Sequence, residues 1–202
     1  MNQHNERDGR RTTSTLNDAR NDTGRVAFCG PYVISAITGW TISKVEDEIR
    51  AFRDIPAHNK PIVRGTYADE VEGALAAFGY RMELKTGFMD RPRKERPTVW
   101  TWMQKPRNAW AHYILAVHKG KEGHWILIKG VKMCDTFTSG KWIFVCDGPH
   151  RGARIMEIFE VRKSLGLEPT VAAAKPLVPQ STDGSVVLGA VTAKPEQAGD
   201  PA

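Results

Sequence analysis

The chain has 202 residues, of which 41% are hydrophobic, and a formal net charge of +6. This length allows one compact domain with tails, and no run of eighteen apolar residues is present to predict a membrane span. The three cysteines are an odd number and lie far apart, so they predict a reducing, cytoplasmic setting rather than a disulfide framework.

The charge is spread along the chain, which disfavours a nucleic-acid-binding stripe. The basic segment 91–96 is interrupted by a proline and a glutamate. It predicts a solvated loop, because no nucleic-acid-binding motif accompanies it. Residues 1–20 are polar and have no periodicity, so they predict a disordered tail without a secretory signal.

Cys29 is the first candidate for chemistry. It precedes Gly30 and Pro31, and an apolar run over 33–37 leads to Gly39. This pattern predicts a helix over 29–38 that Gly39 ends. The partial positive charge at a helix N-terminus favours a thiolate over a thiol, so Cys29 is a candidate nucleophile.

In the rest of the domain, the sequence pattern predicts helices first and strands later. Helices are predicted at 45–52, after a capping box that starts at Ser43, at 67–78 and at 98–104. Strands are predicted at 80–84, 113–117, 125–128, 142–145 and 155–161. We therefore expect an α+β domain over 21–165 with an antiparallel sheet, and a disordered tail over 166–202.

A nucleophilic cysteine needs a base, and His124 is the candidate. It opens a strand-like stretch, which would place it at the rim of the sheet, where a helix N-terminus can meet it. His112 and His118 flank the preceding strand, and His112 is the internal competitor. A base also needs an acceptor that fixes its ring.

Two aspartates could supply that acceptor. If residues 130–131 form a tight hairpin turn, Asp135 shares a face with His124, one diagonal step away. If the turn lies at 135–136, Asp147 falls opposite His124 instead. Register cannot be fixed from the sequence; we favour Asp135 and keep Asp147 as the alternative.

The Cys-Gly-Pro helix start, the Gly-His-Trp strand and the later Asp resemble the papain-like cysteine peptidases. The resemblance covers about residues 21–162 and is closest to the branch of bacteriocin-leader-processing domains, particularly small phage-encoded members. It implies N-terminal helices packed on a C-terminal antiparallel sheet, and hydrolysis of a peptide or protein amide through a thioester, with acyl transfer also allowed. Cys29, His124 and Asp135 would be the nucleophile, base and acid.

One position departs from that family. Its members often place a glutamine six residues before the nucleophile as an oxyanion donor, and here Thr23 stands there. Asn21 is the remaining candidate donor. This departure favours an alternative in which a weak or inactive papain-like fold acts as a phage virion component or binds a host protein, in the virion or the host cytoplasm.

The sequence predicts neither a metal nor a cofactor. Cys134, Cys146, His118 and His124 all lie in the strand-rich half. They lack the close paired spacing that is typical of zinc sites.

Overall fold

A computed structural model describes residues 16–119 and 122–164 of the chain. The remainder of the two predicted tails, at 1–15 and 166–202, lies outside the described residues. The α-helices in the described part are α1 (Cys29–Thr38), α2 (Ile42–Phe52), α3 (Ala68–Ala77) and α4 (Val99–Met103). The strands are β1 (Tyr80–Gly87), β2 (His112–Lys119), β3 (Glu122–Lys129), β4 (Lys132–Cys134), β5 (Ile143–Phe144) and β6 (Arg154–Lys163).

The six strands form one antiparallel sheet in the order β1-β6-β2-β3-β4-β5. The predicted α+β class is therefore confirmed. None of the helices in the described part of the chain has the length and apolar character that crossing a membrane requires.

Helix α1 has the predicted bounds. Its buried apolar residues explain why the segment folds as a helix within the core, and Gly39 ends it with a left-handed φ of 77°. The Gly39 N–H donates to the Ser35 carbonyl at 2.8 Å, which is the bonding expected of a glycine that caps a helix C-terminus.

Helix α2 begins slightly earlier than its capping-box pattern predicts. The Thr41 side chain accepts from the Lys44 N–H and caps the helix. Ser43, the predicted cap, instead donates its backbone N–H to Asp22 at 2.9 Å. The change of cap from Ser43 to Thr41 starts α2 at Ile42, nearer to α1, and leaves its predicted end at Phe52 unchanged.

Strand β3 has a core on each of its faces, because successive side chains point to opposite sides of a sheet. One face shares a buried cluster with α1, α2 and α3, which we call the helix-side core: Val33, Ile37, Ile49, Val71, Leu75, Trp125 and Leu127 are among its members. The other face shares the far-side core with α4: Val99, Trp102, Leu115, Ile126 and Ile128 belong to it.

The β3–β4 hairpin was only partly predicted. Lys129 pairs with Lys132, so Gly130 and Val131 form a two-residue turn, and Gly130 has a φ of 59°. Strand β4 has three residues, too few for a period to be visible in the sequence. The predicted strand 142–145 contracts to Ile143–Phe144, and a 3-10 turn follows at Val145–Asp147.

Residues just before position 21, assigned to the predicted tail, lie against the domain. The Ala19 N–H donates to the Gly140 carbonyl at 2.8 Å. The Trp142 indole donates to the Asn17 carbonyl, also at 2.8 Å. This segment therefore packs beside the loop that follows β4.

Candidate active site

The Cys29 sulfur lies at the start of α1 within hydrogen-bonding reach of backbone amides. The N–H groups of Trp125, Gly30 and Cys29 itself are its partners. Phe28, which precedes the helix, is extended and makes no side-chain cap. The partner in β3 is the important one, because Trp125 directly follows His124 in the chain.

The end of β4 makes room for this contact. Strand β4 pairs with β3 only from Leu127↔Cys134 to Lys129↔Lys132. The edge of β3 before Leu127 is therefore not covered by β4, and the Trp125 N–H there meets the sulfur. A short neighbouring strand thus lets the helix start reach the sheet beside His124.

Burial determines the protonation of Cys29. Its side chain is only 6% exposed, and this desolvation raises the pKa of the thiol to about 11, against the lowering effect of the three N–H groups. The nearby Asp135 carboxylate adds a smaller upward contribution to that pKa. Cys29 is therefore a neutral thiol near neutral pH. The helix N-terminus, on which the expectation of a thiolate rests, opposes this rise in pKa by less than burial favours it.

His124 and Asp135 form a buried hydrogen-bonded pair. The distance from His124 Nε2 to Asp135 Oδ2 is 2.9 Å, and the two residues are 5% and 0% exposed. Because Cys134 pairs with Leu127, the next residue falls opposite Ile126, and this is the register on which the choice of Asp135 depended. His124 has the same orientation along β3 as Ile126.

The loop after β4 holds Asp135 in place. Its Oδ1 accepts from the Thr138 N–H at 2.9 Å, and its own N–H donates to Thr138 Oγ1 at 3.1 Å. Burial by itself raises the pKa of Asp135, but the hydrogen bond to His124 and the closeness of the His150 imidazole hold that pKa well below its ordinary value. Asp135 is therefore a carboxylate near neutral pH.

His150 joins this pair and was missed by the sequence reasoning. Its Nε2 lies 2.9 Å from the same Asp135 oxygen, its ring centroid is 4.7 Å from that of His124, and it is 4% exposed. Although this distance is short, the angles are unfavourable, and His150 Nε2 makes no well-directed hydrogen bond. It lies in the turn before β6, where no periodicity or motif marks it.

The other candidates lie elsewhere. Asp147 is exposed in the 3-10 turn after β5. His112 lies opposite Lys129, at the far end of β3 from His124. Burial, with a smaller contribution from the Lys129 charge, lowers the pKa of His112 to about 4. His118 Nε2 is 2.9 Å from the Arg96 guanidinium.

Asn21 is engaged in its own turn. Its Nδ2 donates to the Arg25 carbonyl at 2.7 Å and to the Tyr32 hydroxyl at 3.2 Å. An amide nitrogen has two hydrogens, so both are already used. In this conformation Asn21 has no hydrogen to offer an oxyanion.

A loop before α3 closes over the start of α1. The Trp125 indole donates to the Thr66 carbonyl at 3.1 Å. A Cβ at Gly30 would collide with Thr66 Oγ1, so the Cys-Gly pair in this helix start is required by close packing.

Comparisons with protein-family models, with curated proteins and with solved structures found no match to this chain. The chemistry must therefore be argued from the site. It combines a thiol beside backbone amides with a buried imidazole–carboxylate pair on the adjoining strand. Such a set can perform acyl chemistry on sulfur, and the His124, Asp135 and His150 ligand atoms lie within 4.8 Å of one another, close enough to hold a metal ion.

Proposed function

We propose that this chain is a cysteine-dependent amide hydrolase of papain-like fold, with Cys29 as nucleophile, His124 as base and Asp135 as the acid that orients it. One observation carries the proposal: the buried 2.9 Å bond between His124 and Asp135 is made by the residue next to Trp125, whose N–H lowers the pKa of the Cys29 thiol. The order Cys, His, Asp along the chain agrees with the family resemblance.

The Asp135 carboxylate defines the tautomer of His124. The carboxylate accepts a hydrogen bond from Nε2. A neutral His124 therefore carries its proton on Nε2, and Nδ1 is the basic nitrogen. The tautomer is assigned from this bond. As the Cys29 sulfur attacks an amide carbonyl, its proton passes to Nδ1, and Asp135 stabilises the imidazolium that results.

The remaining steps return the enzyme to its starting state. The tetrahedral intermediate collapses, the C–N bond breaks, and the leaving amine takes the proton from His124. A thioester on Cys29 remains. Water, deprotonated by His124, attacks the thioester, and the carboxylic acid and the thiol are released. An amine in place of that water would give acyl transfer by the same residues.

The raised pKa of Cys29 favours proton transfer during attack over an ion pair formed beforehand. A neutral thiol costs less to bury than a thiolate, and the N–H groups around the sulfur stabilise charge as it develops. With Asn21 engaged, the Cys29 N–H remains the candidate oxyanion donor, and it would bind the substrate oxygen in place of the sulfur that it faces before attack.

The papain-like arrangement is supported by the helix-side core, where α1, α2 and α3 share apolar contacts with β3. We infer a peptide or protein substrate from the resemblance, together with a phage-encoded origin and a cytoplasmic location.

A second candidate is favoured by the burial of Cys29. A papain-like fold that lost turnover would keep the His124–Asp135 pair as a structural bond and act as a phage virion component or a binding protein. A sulfur that is 6% exposed is the observation that supports this candidate.

Labelling with peptide electrophiles separates the two candidates. The native chain is treated with a panel of peptide acyloxymethyl ketones, and the modified residue is mapped by mass spectrometry in wild type, Cys29→Ala and Cys146→Ala. We expect modification at Cys29, lost in Cys29→Ala and retained in Cys146→Ala, which removes an exposed thiol. Modification confined to Cys146, or unchanged peptide hydrolysis by Cys29→Ala, would refute the hydrolase.

A further inference from the structure

One carboxylate oxygen serves two buried imidazoles. Asp135 Oδ2 lies 2.9 Å from the Nε2 of His124 and 2.9 Å from the Nε2 of His150. His124 makes a well-directed hydrogen bond to it, whereas His150 Nε2 is buried without one. Such groups are rare in folded proteins, and each calls for an explanation, of which an ion is one.

The three ligand atoms have the chemistry and spacing of a transition-metal site. Two imidazole nitrogens and a carboxylate oxygen are a common donor set for zinc and iron. Atoms bonded to one metal at about 2.1 Å, with angles between tetrahedral and octahedral values, lie roughly 3.0–3.4 Å apart. The two 2.9 Å distances are within a small side-chain shift of that range, and all three atoms lie within 4.8 Å of one another.

We propose that His124, Asp135 and His150 form a site for a divalent transition-metal ion of the zinc class. The ion binds both Nε2 atoms and Asp135 Oδ2, and water completes its coordination. The ligands come from β3, from the residue after β4 and from the turn before β6, so the site has no recognisable spacing in the sequence.

The surroundings of the three residues fit this role. The Thr138 N–H holds the other Asp135 oxygen at 2.9 Å, as outer-shell donors do for metal-binding carboxylates. The Phe137 ring meets both imidazoles edge-on, at 5.2 Å from His124 and 4.9 Å from His150. Phe137 is 51% exposed, so a side chain that contacts both imidazoles also reaches solvent, and its movement would offer an ion an entry path.

Metal binding changes what His124 can do. An ion on Nε2 displaces the proton that points at Asp135, and the neutral ring then carries its proton on Nδ1. A protonated Nδ1 cannot accept the proton of Cys29. Zinc therefore inhibits the hydrolase, a consequence that rests on the proposed function, whereas metal binding itself does not.

The test titrates Zn²⁺ alone into the full chain by calorimetry, and Co²⁺ by visible absorption. We compare wild type with His150→Gln, with Cys29→Ser and with His58→Gln, which removes an exposed histidine as a matched control. We expect one ion per wild-type chain and at least a roughly 100-fold loss of affinity in His150→Gln, more than an outer-shell change usually causes. Cys29→Ser and His58→Gln should bind as wild type does, so failure of the hydrolase proposal leaves this test intact.

A second measurement uses only the wild type, in case His150→Gln fails to fold. Nitrogen NMR of the imidazoles should show that Zn²⁺ shifts the Nε2 resonances of two histidines and leaves their Nδ1 protonated. Wild type that binds no Zn²⁺, equal affinity in His150→Gln, or a shift at Nδ1 instead would each overturn the proposal.

Discussion

The β2–β3 pair has a histidine near each of its two ends: His124 in β3, and His112 in β2 opposite the last residue of β3. His124 meets a buried carboxylate at 2.9 Å, whereas His112, paired across from Lys129, has a cationic neighbour. Both rings are largely withdrawn from water, and burial lowers the pKa of His112 to about 4, which keeps it neutral. Burial alone therefore does not distinguish the two rings; the carboxylate that follows β4 and lies beside His124 does.

The largest expected effect separates the two histidines directly. His124→Gln should slow labelling of Cys29 by a peptide electrophile about 100- to 10,000-fold, the usual contribution of a general base. His112→Gln should leave the rate little changed, because His112 lies in β2, opposite the end of β3 that is far from His124. Mass spectrometry of the labelled chain measures both rates, and equal losses in the two variants would contradict the comparison.

Asp135 is the source of the difference, and its replacement should cost stability. Asp135→Asn should lower the free energy of unfolding by about 2–4 kcal/mol at pH 7, because two imidazoles lose a buried charge partner. The pKa of Asp135 is lowered in the folded state. Its contribution is therefore present above the unfolded value of about 3.9 and is lost as the pH falls through and below it.

Urea unfolding at pH 7 and pH 3 checks this prediction. The stability advantage of wild type over Asp135→Asn should shrink at the lower pH. Asp147→Asn, which changes an exposed aspartate, is the matched control and should behave as wild type. A difference between wild type and Asp135→Asn that does not depend on pH would show that the carboxylate charge is not the cause.

The start of α1 lies near the His124 end of β3, and the packing of this helix start can be tested separately. Gly30→Ala should destabilise the chain by about 1–3 kcal/mol, because the added methyl collides with Thr66 Oγ1. Gly152→Ala adds the same methyl where no atom lies within 4 Å, and thermal unfolding should scarcely change. Equal midpoints for the two variants would mean that the loop at Thr66 does not pack on the helix start.

The smallest expected effect concerns the loop that holds Asp135. Thr138→Val removes the hydroxyl that accepts from the Asp135 N–H, and we expect a loss of about 1 kcal/mol. Thr136→Val removes a hydroxyl that is buried without a hydrogen-bond partner, so it should be neutral or stabilising. Chemical denaturation of both variants measures the difference, and the reverse order would refute the role given to Thr138.

Local signals predicted most of the elements around the site. The apolar run and Gly39 gave the bounds of α1, and the segment beginning at His124 lies within β3. The sequence predicts Asp135 beside His124 only if Gly130 and Val131 form the hairpin turn. That condition is met in the structure, but it depended on strand register, which tertiary packing determines.

Other features had no local signal. Strand β4 is too short to show a period, and His150 reaches Asp135 from a turn that lies 15 residues later in the chain. The protonation state of Cys29 also depends on tertiary structure. A helix start can be read from the sequence, but the burial that raises the pKa of Cys29 to about 11 depends on how the loop at Thr66 and strand β3 close around the sulfur.

The most direct test of the account is the pH dependence of Cys29 modification by a peptide acyloxymethyl ketone, measured from pH 5 to pH 10 in wild type and His124→Gln. If His124 takes the thiol proton during attack, wild type should react rapidly near neutral pH. His124→Gln should react only as the pH rises toward the thiol pKa of about 11. Superimposable profiles for the two proteins would contradict the account, because the imidazole would then play no part in the reaction of the sulfur.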